Sequence, residues 1–71
     1  MTQLEFIAKA QEFCNKNSIA HDVFIRIASN TVLVSIQSNV EKFIKFLEDN
    51  ELNYSGPFKL LENRMDIYVK L

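Results

Sequence analysis

The side chains that could take part in catalysis are few, and Cys14 and His21 are the first candidates. A cysteine thiolate can act as a nucleophile with a histidine as its base, provided that a cation or a helix N-terminus lowers the pKa of the thiol. Cys14 instead falls near the C-terminal end of a predicted helix, where the helix dipole opposes a thiolate, and on the apolar stripe of that helix. We therefore expect Cys14 to be a small buried hydrophobic residue. His21 has no second histidine with which to bind a metal, and we expect it to be partly buried at the start of a strand.

Four carboxylates form the second candidate group: Glu48, Asp49, Glu51 and Glu62. The first three lie at the C-terminal end of a predicted helix, where a solvated charged face is the ordinary arrangement. Catalytic carboxylates must face each other across a cleft, and a two-layer domain of this size has little depth for one. The single glycine is followed by proline, which does not make a phosphate-binding loop. The sequence therefore predicts a protein that is not an enzyme and that uses no cofactor and no metal.

Length and charge bound the remaining classes of function. The 71 residues are predicted to form one domain, 1–71, because the chain is too short to enclose two hydrophobic cores. Eight basic and nine acidic side chains nearly cancel, so no net field favours non-specific binding to phosphates. The lone cysteine allows no internal disulfide and favours a reducing, cytoplasmic setting. A basic leader segment and an apolar run of about 18 residues are not seen, so we expect neither secretion nor membrane insertion.

Two helices are predicted, and each follows a capping box. Thr2 with Glu5, and Ser38 with Glu41, place a hydroxyl and a carboxylate three residues apart, as is typical of helix starts. Apolar residues then recur at helical spacing, at Phe6, Ile7, Ala10, Phe13 and Cys14 and again at Val40, Phe43, Ile44 and Leu47. The predicted helices run from Gln3 to about Asn17 and from about Asn39 to Glu51. Asparagines are expected at turns and helix ends that need left-handed geometry.

Two hairpins are predicted, one after each helix. Residues His21 to Ala28 and the segment from Thr31 alternate like strands around a turn at Ser29-Asn30. Counting back from that turn pairs Ile27 with Val32, Ile25 with Val34 and Val23 with Ile36, all facing the core. In the second hairpin, strands Phe58 to Glu62 and Met65 to Leu71 meet at Asn63-Arg64. Its inward residues are predicted to be Phe58, Leu60, Met65, Ile67, Val69 and Leu71.

The predicted fold is α+β, a two-layer αββαββ sandwich in which both helices cover one face of a four-stranded sheet. This element order is that of a ferredoxin-like βαββαβ domain that begins at its second helix, as in a circular permutation. In that arrangement the strands from Thr31 and Met65 lie centrally and parallel, and the strands from His21 and Phe58 form the edges. A sheet with its strands in another order is the alternative. The sequence alone does not decide between the two.

The sheet face opposite the helices is the predicted functional surface. A solvated face should be polar, yet this one combines apolar and aromatic residues with charges, as contact surfaces do. Asp22, Ser35 and Asp66 are expected on the same face. The residues predicted to bind a partner are Phe24, Arg26, Leu33, Lys59, Leu61, Tyr68 and Lys70.

Three functions fit such a face. The first is a small intracellular adaptor, regulator or inhibitor that binds a protein, in keeping with a phage or bacterial accessory protein. The second is a module for single-stranded RNA or DNA, in which bases stack on Tyr68 and Phe24 beside basic residues; Asp22 and Asp66 interrupt the positive charge. The third is a homodimer that stacks sheet on sheet. Protein contact is the favoured hypothesis, with nucleic acid as the alternative and no membrane involved.

Overall fold

The structure is a computed structural model that describes the backbone of residues 1–71 and every side chain except that of Leu60. These residues form two helices and four strands, in the predicted order αββαββ. The sheet has the strand order β1-β2-β4-β3. Among the described residues, neither helix is long and apolar enough to cross a bilayer. The elements are α1 (Gln3–Lys16), β1 (His21–Ala28), β2 (Thr31–Ile36), α2 (Val40–Asp49), β3 (Asn53–Leu61) and β4 (Arg64–Lys70).

The central strands are β2 and β4, as predicted, and the edges are β1 and β3. The prediction that β2 and β4 run parallel is wrong, because every neighbouring pair in the sheet is antiparallel. The α2 crossover makes β2 parallel to β3, but these two strands are not neighbours. The chain turns back after β3, and β4 enters the space between them in the opposite direction. The register of the central pair is regular from Thr31 opposite Lys70 to Ile36 opposite Met65.

Helix α1 begins with the predicted capping box, and α2 does not. The Glu5 amide donates to the Thr2 hydroxyl at 3.1 Å, and the Thr2 amide donates to the Glu5 carboxylate at 2.9 Å. The second box is wrong because the Ser38 hydroxyl accepts a hydrogen bond from the Ala20 amide at 2.9 Å, which ties the start of β1 to the end of β2. Asn39 takes the cap position of α2 in a left-handed conformation with no side-chain cap bond.

Both helices end in the same way, at positions 33 residues apart in the chain (Asn17 and Asn50). The Asn17 side-chain amide donates to the Phe13 carbonyl at 2.9 Å, and the Asn50 amide donates to the Phe46 carbonyl at 2.8 Å. The left-handed residue is the next one in each case, Ser18 or Glu51. Asparagine is thus confirmed at the helix ends, where its side chain satisfies a free carbonyl. The left-handed conformation itself is found at an asparagine only at Asn39 among the described residues.

The core lies between the helices and one face of the sheet. Helix α1 contributes Phe6, Ala10 and Cys14, and α2 contributes Phe43 and Leu47, all of them fully buried. The rings of Phe13 and Phe46 stack at 4.4 Å where the helices meet. Because the buried residues of β2 and β4 alternate with exposed or polar ones, a single sheet face receives both helices. Those buried strand residues are Val32, Val34, Ile36, Ile67 and Val69, as predicted.

The predicted register of β1 against β2 is wrong by one residue. The turn at Ser29-Asn30 is confirmed, but a bulge between Arg26 and Ala28 adds one residue to β1. Arg26 therefore pairs with Val32, and Phe24 pairs with Val34. Since an extra residue inverts the faces of the rest of the strand, Phe24 packs on the core and Ile25 points away from the helices. A second bulge in β1, near His21, places that residue opposite Ile36, so the predicted pairing of Val23 with Ile36 is also wrong.

The second hairpin departs from its predicted register for the same reason. Its turn is Glu62-Asn63 rather than Asn63-Arg64, and β3 begins at Asn53 rather than Phe58. Counting from that turn, a bulge between Lys59 and Leu61 places Phe58 opposite Asp66, on the face away from the helices, so its predicted inward orientation is wrong. A second bulge lies between Ser55 and Phe58. The predicted inward orientation of Leu60 lies outside the described residues.

The bulge between Ser55 and Phe58 in β3 requires glycine at position 56. Gly56 has φ of 107°, which L side chains rarely adopt, and a Cβ there would lie 2.8 Å from the Asp66 carbonyl oxygen. We expect Gly56→Ala to lower the free energy of unfolding by about 1–3 kcal/mol through strain in the folded state. Urea denaturation followed by circular dichroism measures this change.

The matched control is Ser55→Ala, an exposed neighbour in the same strand, which should stay within about 0.5 kcal/mol of the parent. A Gly56→Ala variant as stable as this control would show that the bulge does not depend on glycine.

Candidate functional site

The sheet face opposite the helices, called the open face below, is not covered by any described helix or strand. Its centre is a row of paired residues, in which Leu33 of β2 lies between Ile25 of β1 and Tyr68 of β4. The Phe58 ring meets the Tyr68 ring edge-on at 6.0 Å. Leu61 pairs with Arg64 at one end of the face, and Lys70 of β4 lies at the other.

Four of the seven predicted partner-binding residues lie on the open face: Leu33, Leu61, Tyr68 and Lys70. The other three lie on the helix side. Phe24 packs against the core, and Arg26 pairs with the buried Val32. Lys59 pairs with Met65, whose other neighbour is the buried Ile36. Bulges in β1 and β3 explain why these three residues lie on the helix side and not on the predicted face.

Two residues of the open face were missed by the sequence prediction, Ile25 and Phe58. Their side chains are 44% and 49% exposed, and Leu61, at the end of the face, is 63% exposed. Alternation alone assigns Ile25 and Phe58 to the core, because β-branched and aromatic residues there match a buried strand face. Gly56-Pro57 is a sequence signal that β3 is irregular, since glycine inside a strand often marks a bulge, but the shift between Lys59 and Leu61 that sets the face of Phe58 has no glycine to mark it.

A buried polar group lies among these apolar side chains. Ser35 is fully buried and Asp66 is 5% exposed, although both face away from the helices. The Ser35 hydroxyl donates to Asp66 Oδ1 at 2.8 Å, and Arg64 Nε donates to the same oxygen at 3.2 Å. Arg64 also lies 3.7 Å from the Asp22 carboxylate. Each charge of this group therefore has an opposite charge beside it.

Cys14 and His21, the first catalytic candidates, are both packed against other residues of the fold. Cys14 is buried in the core, and burial raises the pKa of its thiol to about 11, which keeps it protonated at neutral pH. His21 is partly buried at the first position of β1, as predicted. Its Nδ1 lies 3.0 Å from the Ile19 carbonyl oxygen, and its ring meets Phe24 edge-on at 5.4 Å. This arrangement uses both residues in packing.

The four carboxylates do not converge on a cleft. The Tyr54 hydroxyl donates to Glu48 at 3.1 Å, while Asp49, Glu51 and Glu62 are exposed. A wide surface depression of about 920 Å³ lies beside Arg64 and Asp22 at the end of the sheet, with Glu62 on its rim. Within the described part of the chain, no three His, Cys, Asp or Glu side chains are grouped so that they could hold a metal ion.

No protein-family model matches the chain, and no curated protein or solved structure shows significant similarity to it. The α+β class, the two helices and the four-stranded antiparallel sheet are therefore described from this structure alone. The ferredoxin-like relationship stays a prediction.

The hydrogen bond between Ser35 and Asp66 should stabilise the fold in a way that depends on both partners. We expect Ser35→Ala to cost about 1 kcal/mol and Asp66→Ala about 1–3 kcal/mol, since the latter leaves a buried hydroxyl without an acceptor. The double variant should cost less than the sum, because the hydroxyl is no longer a penalty once it is removed.

Denaturation of the four proteins of this cycle measures the coupling, and Glu12→Ala, an exposed acid on α1, is the matched control. Strict additivity of the two single changes would mean that the bond contributes nothing to stability.

Burial of Cys14 predicts that a thiol reagent reacts slowly with the folded protein. A disulfide-forming reagent at pH 8 should label the native chain only through unfolding, and should label one thiol per chain at once in concentrated urea. Reaction of the native protein as fast as that of the urea-unfolded chain would contradict the buried assignment.

Proposed function

We propose that this chain is a small non-enzymatic interaction protein, an adaptor, regulator or inhibitor, whose open face binds a protein. The observation that carries the proposal is the exposure of Ile25, Phe58 and Leu61, three large apolar side chains on a face without a covering layer. The half-buried Leu33 lies beside Ile25, the half-buried Tyr68 lies beside Phe58, and Leu61 lies at the end of the face. Grouped apolar and aromatic residues at the surface of a small domain are typical of contact sites.

The polar group of Ser35, Asp66 and Arg64, between the apolar row and the Arg64 end of the open face, supports the same proposal. A partner that covers this face removes water from it, and every unpaired polar atom would then cost free energy. Asp66 already accepts hydrogen bonds from Ser35 and Arg64, and Arg64 also faces Asp22. An apolar partner can therefore cover this part of the face without leaving a buried charge unpaired.

The positions of the cations favour protein over nucleic acid. Binding of single strands needs basic side chains along the path of the phosphates. Arg26 and Lys59 lie on the helix side of the sheet, and Arg64 is engaged by two carboxylates. Lys70 is the remaining cation at the end of the face. The Phe58–Tyr68 ring pair thus lacks the surrounding positive charge of a base-stacking platform.

The edges of the sheet favour contact through its face. An exposed edge strand can add a strand from a partner when its backbone is regular. Both edges are interrupted here, β1 by register shifts on either side of Phe24 and β3 by shifts on either side of Phe58. The proposal thus places the partner on the open face. A reducing, cytoplasmic setting and a bacterial or phage accessory role belong to it, in keeping with the lone buried thiol.

Affinity capture of the tagged protein from its native lysate tests the proposal. Phe58→Asp places a charge in the apolar face and should abolish retention of a stoichiometric protein partner, while nuclease treatment of the parent should leave that partner bound.

Leu4→Asp is the matched control, because Leu4 is an equally large exposed residue, 64% exposed, on α1. It should retain the partner in full. Capture of nucleic acid alone, released by nuclease and by salt, would overturn the proposal in favour of a single-strand binder. Capture that is equal in the two variants would remove the open face from the function.

A further inference from the structure

We propose that the partner of the open face is a second copy of this chain, in a symmetric dimer that stacks two sheets face to face. The inference rests on the proposed function and specifies the occupant of the same surface. Two apolar sheet faces pack about 10 Å apart in β-sandwiches, with the strands of the sheets nearly aligned. The dimer would thus be a four-layer structure, with helices outside and sheets inside.

The charge of the open face allows a copy to approach it. A two-fold interface brings the same patch of both copies together, so a face with net charge would repel itself. The charged residues on the strands of this face are Asp22 and Asp66 against Arg64 and Lys70, which sum to zero, and Glu62 in the adjoining turn adds one negative charge at the rim. Of these, Asp22, Arg64 and Asp66 are already paired within one chain. Self-association therefore carries little electrostatic cost.

The area of the face fits a weak but specific dimer. Strands of six to nine residues, spaced by about 4.8 Å, give a face of about 500 Å² per copy and about 1,000 Å² for the pair. Specific interfaces begin at about this size. A chain of 71 residues has a small core, and covering Ile25, Leu33 and Phe58 would enlarge the apolar area that it buries. We expect a dissociation constant in the micromolar range.

Sedimentation equilibrium over a series of concentrations tests the dimer. The parent should change from monomer to dimer across the micromolar range. Ile25→Asp should raise the dissociation constant about tenfold or more, because the charge would be buried against an apolar face. Leu4→Asp should dimerise like the parent. Circular dichroism and urea denaturation establish that each variant is folded, and Phe58→Ser is the second variant if Ile25→Asp does not fold.

The outcomes separate this inference from the function on which it rests. A parent that stays monomeric at millimolar concentration, yet captures a different protein through the open face, overturns the dimer and keeps the proposed function. A dimer that persists in both Ile25→Asp and Phe58→Ser places the interface elsewhere and overturns the inference. A monomer whose captured partners are the same with and without Phe58→Asp overturns both.

Discussion

The side-chain alternation of the two outer strands, and its interruption by bulges, decides what this protein presents to its surroundings. Successive strand residues face opposite sides of a sheet, so one extra residue exchanges the faces of everything beyond it. The extra residue near Arg26 turns Phe24 into a core residue and leaves Ile25 exposed, and the bulge between Lys59 and Leu61 exposes Phe58. Without these bulges, Ile25 and Phe58 would face the helices, and Phe24 would lie on the open face. The surface that we assign to binding is therefore a product of irregular edge strands on a regular central pair.

The bulge between Ser55 and Phe58 and the polar group of the open face meet at Asp66. The carbonyl oxygen of this residue lies where a Cβ of residue 56 would be, so the backbones of β3 and β4 approach closely there. Its carboxylate, on the open face, is held by Ser35 and Arg64. The register of β3 against β4, the need for glycine at position 56 and the hydrogen bonds of the polar group therefore all depend on the position of Asp66. The apolar residues around that point remain exposed while its polar atoms are satisfied, which is the combination that a covering partner needs.

Much of the fold could be predicted from the sequence because it follows from local patterns. The stripe through Phe6, Ala10 and Cys14 predicts α1, and the alternation of Val32 and Val34 predicts the buried face of β2, as the structure confirms. The capping box at Ser38 failed because its hydroxyl is used by the distant Ala20 amide. The register of β1 failed because Ile25 and Phe24 are both apolar, so hydrophobicity does not distinguish a regular strand from a bulged one. Leu33, Tyr68 and Lys70 were predicted correctly because they belong to the regular central strands, and Leu61 because it lies next to the hairpin turn, before the first bulge of β3.

The most direct test of this account is the register of the outer strands in solution. Nuclear Overhauser effects between protons of neighbouring strands show which residues face each other. They are measured by nuclear magnetic resonance once the backbone and side-chain signals are assigned. The account predicts contacts of Arg26 with Val32 and of Phe58 with Asp66. Contacts of Ile27 with Val32 and of Ile25 with Val34 would contradict it, because β1 would then be regular. Ile25 would lie in the core, and the open face would lose one of the apolar residues on which its proposed role depends.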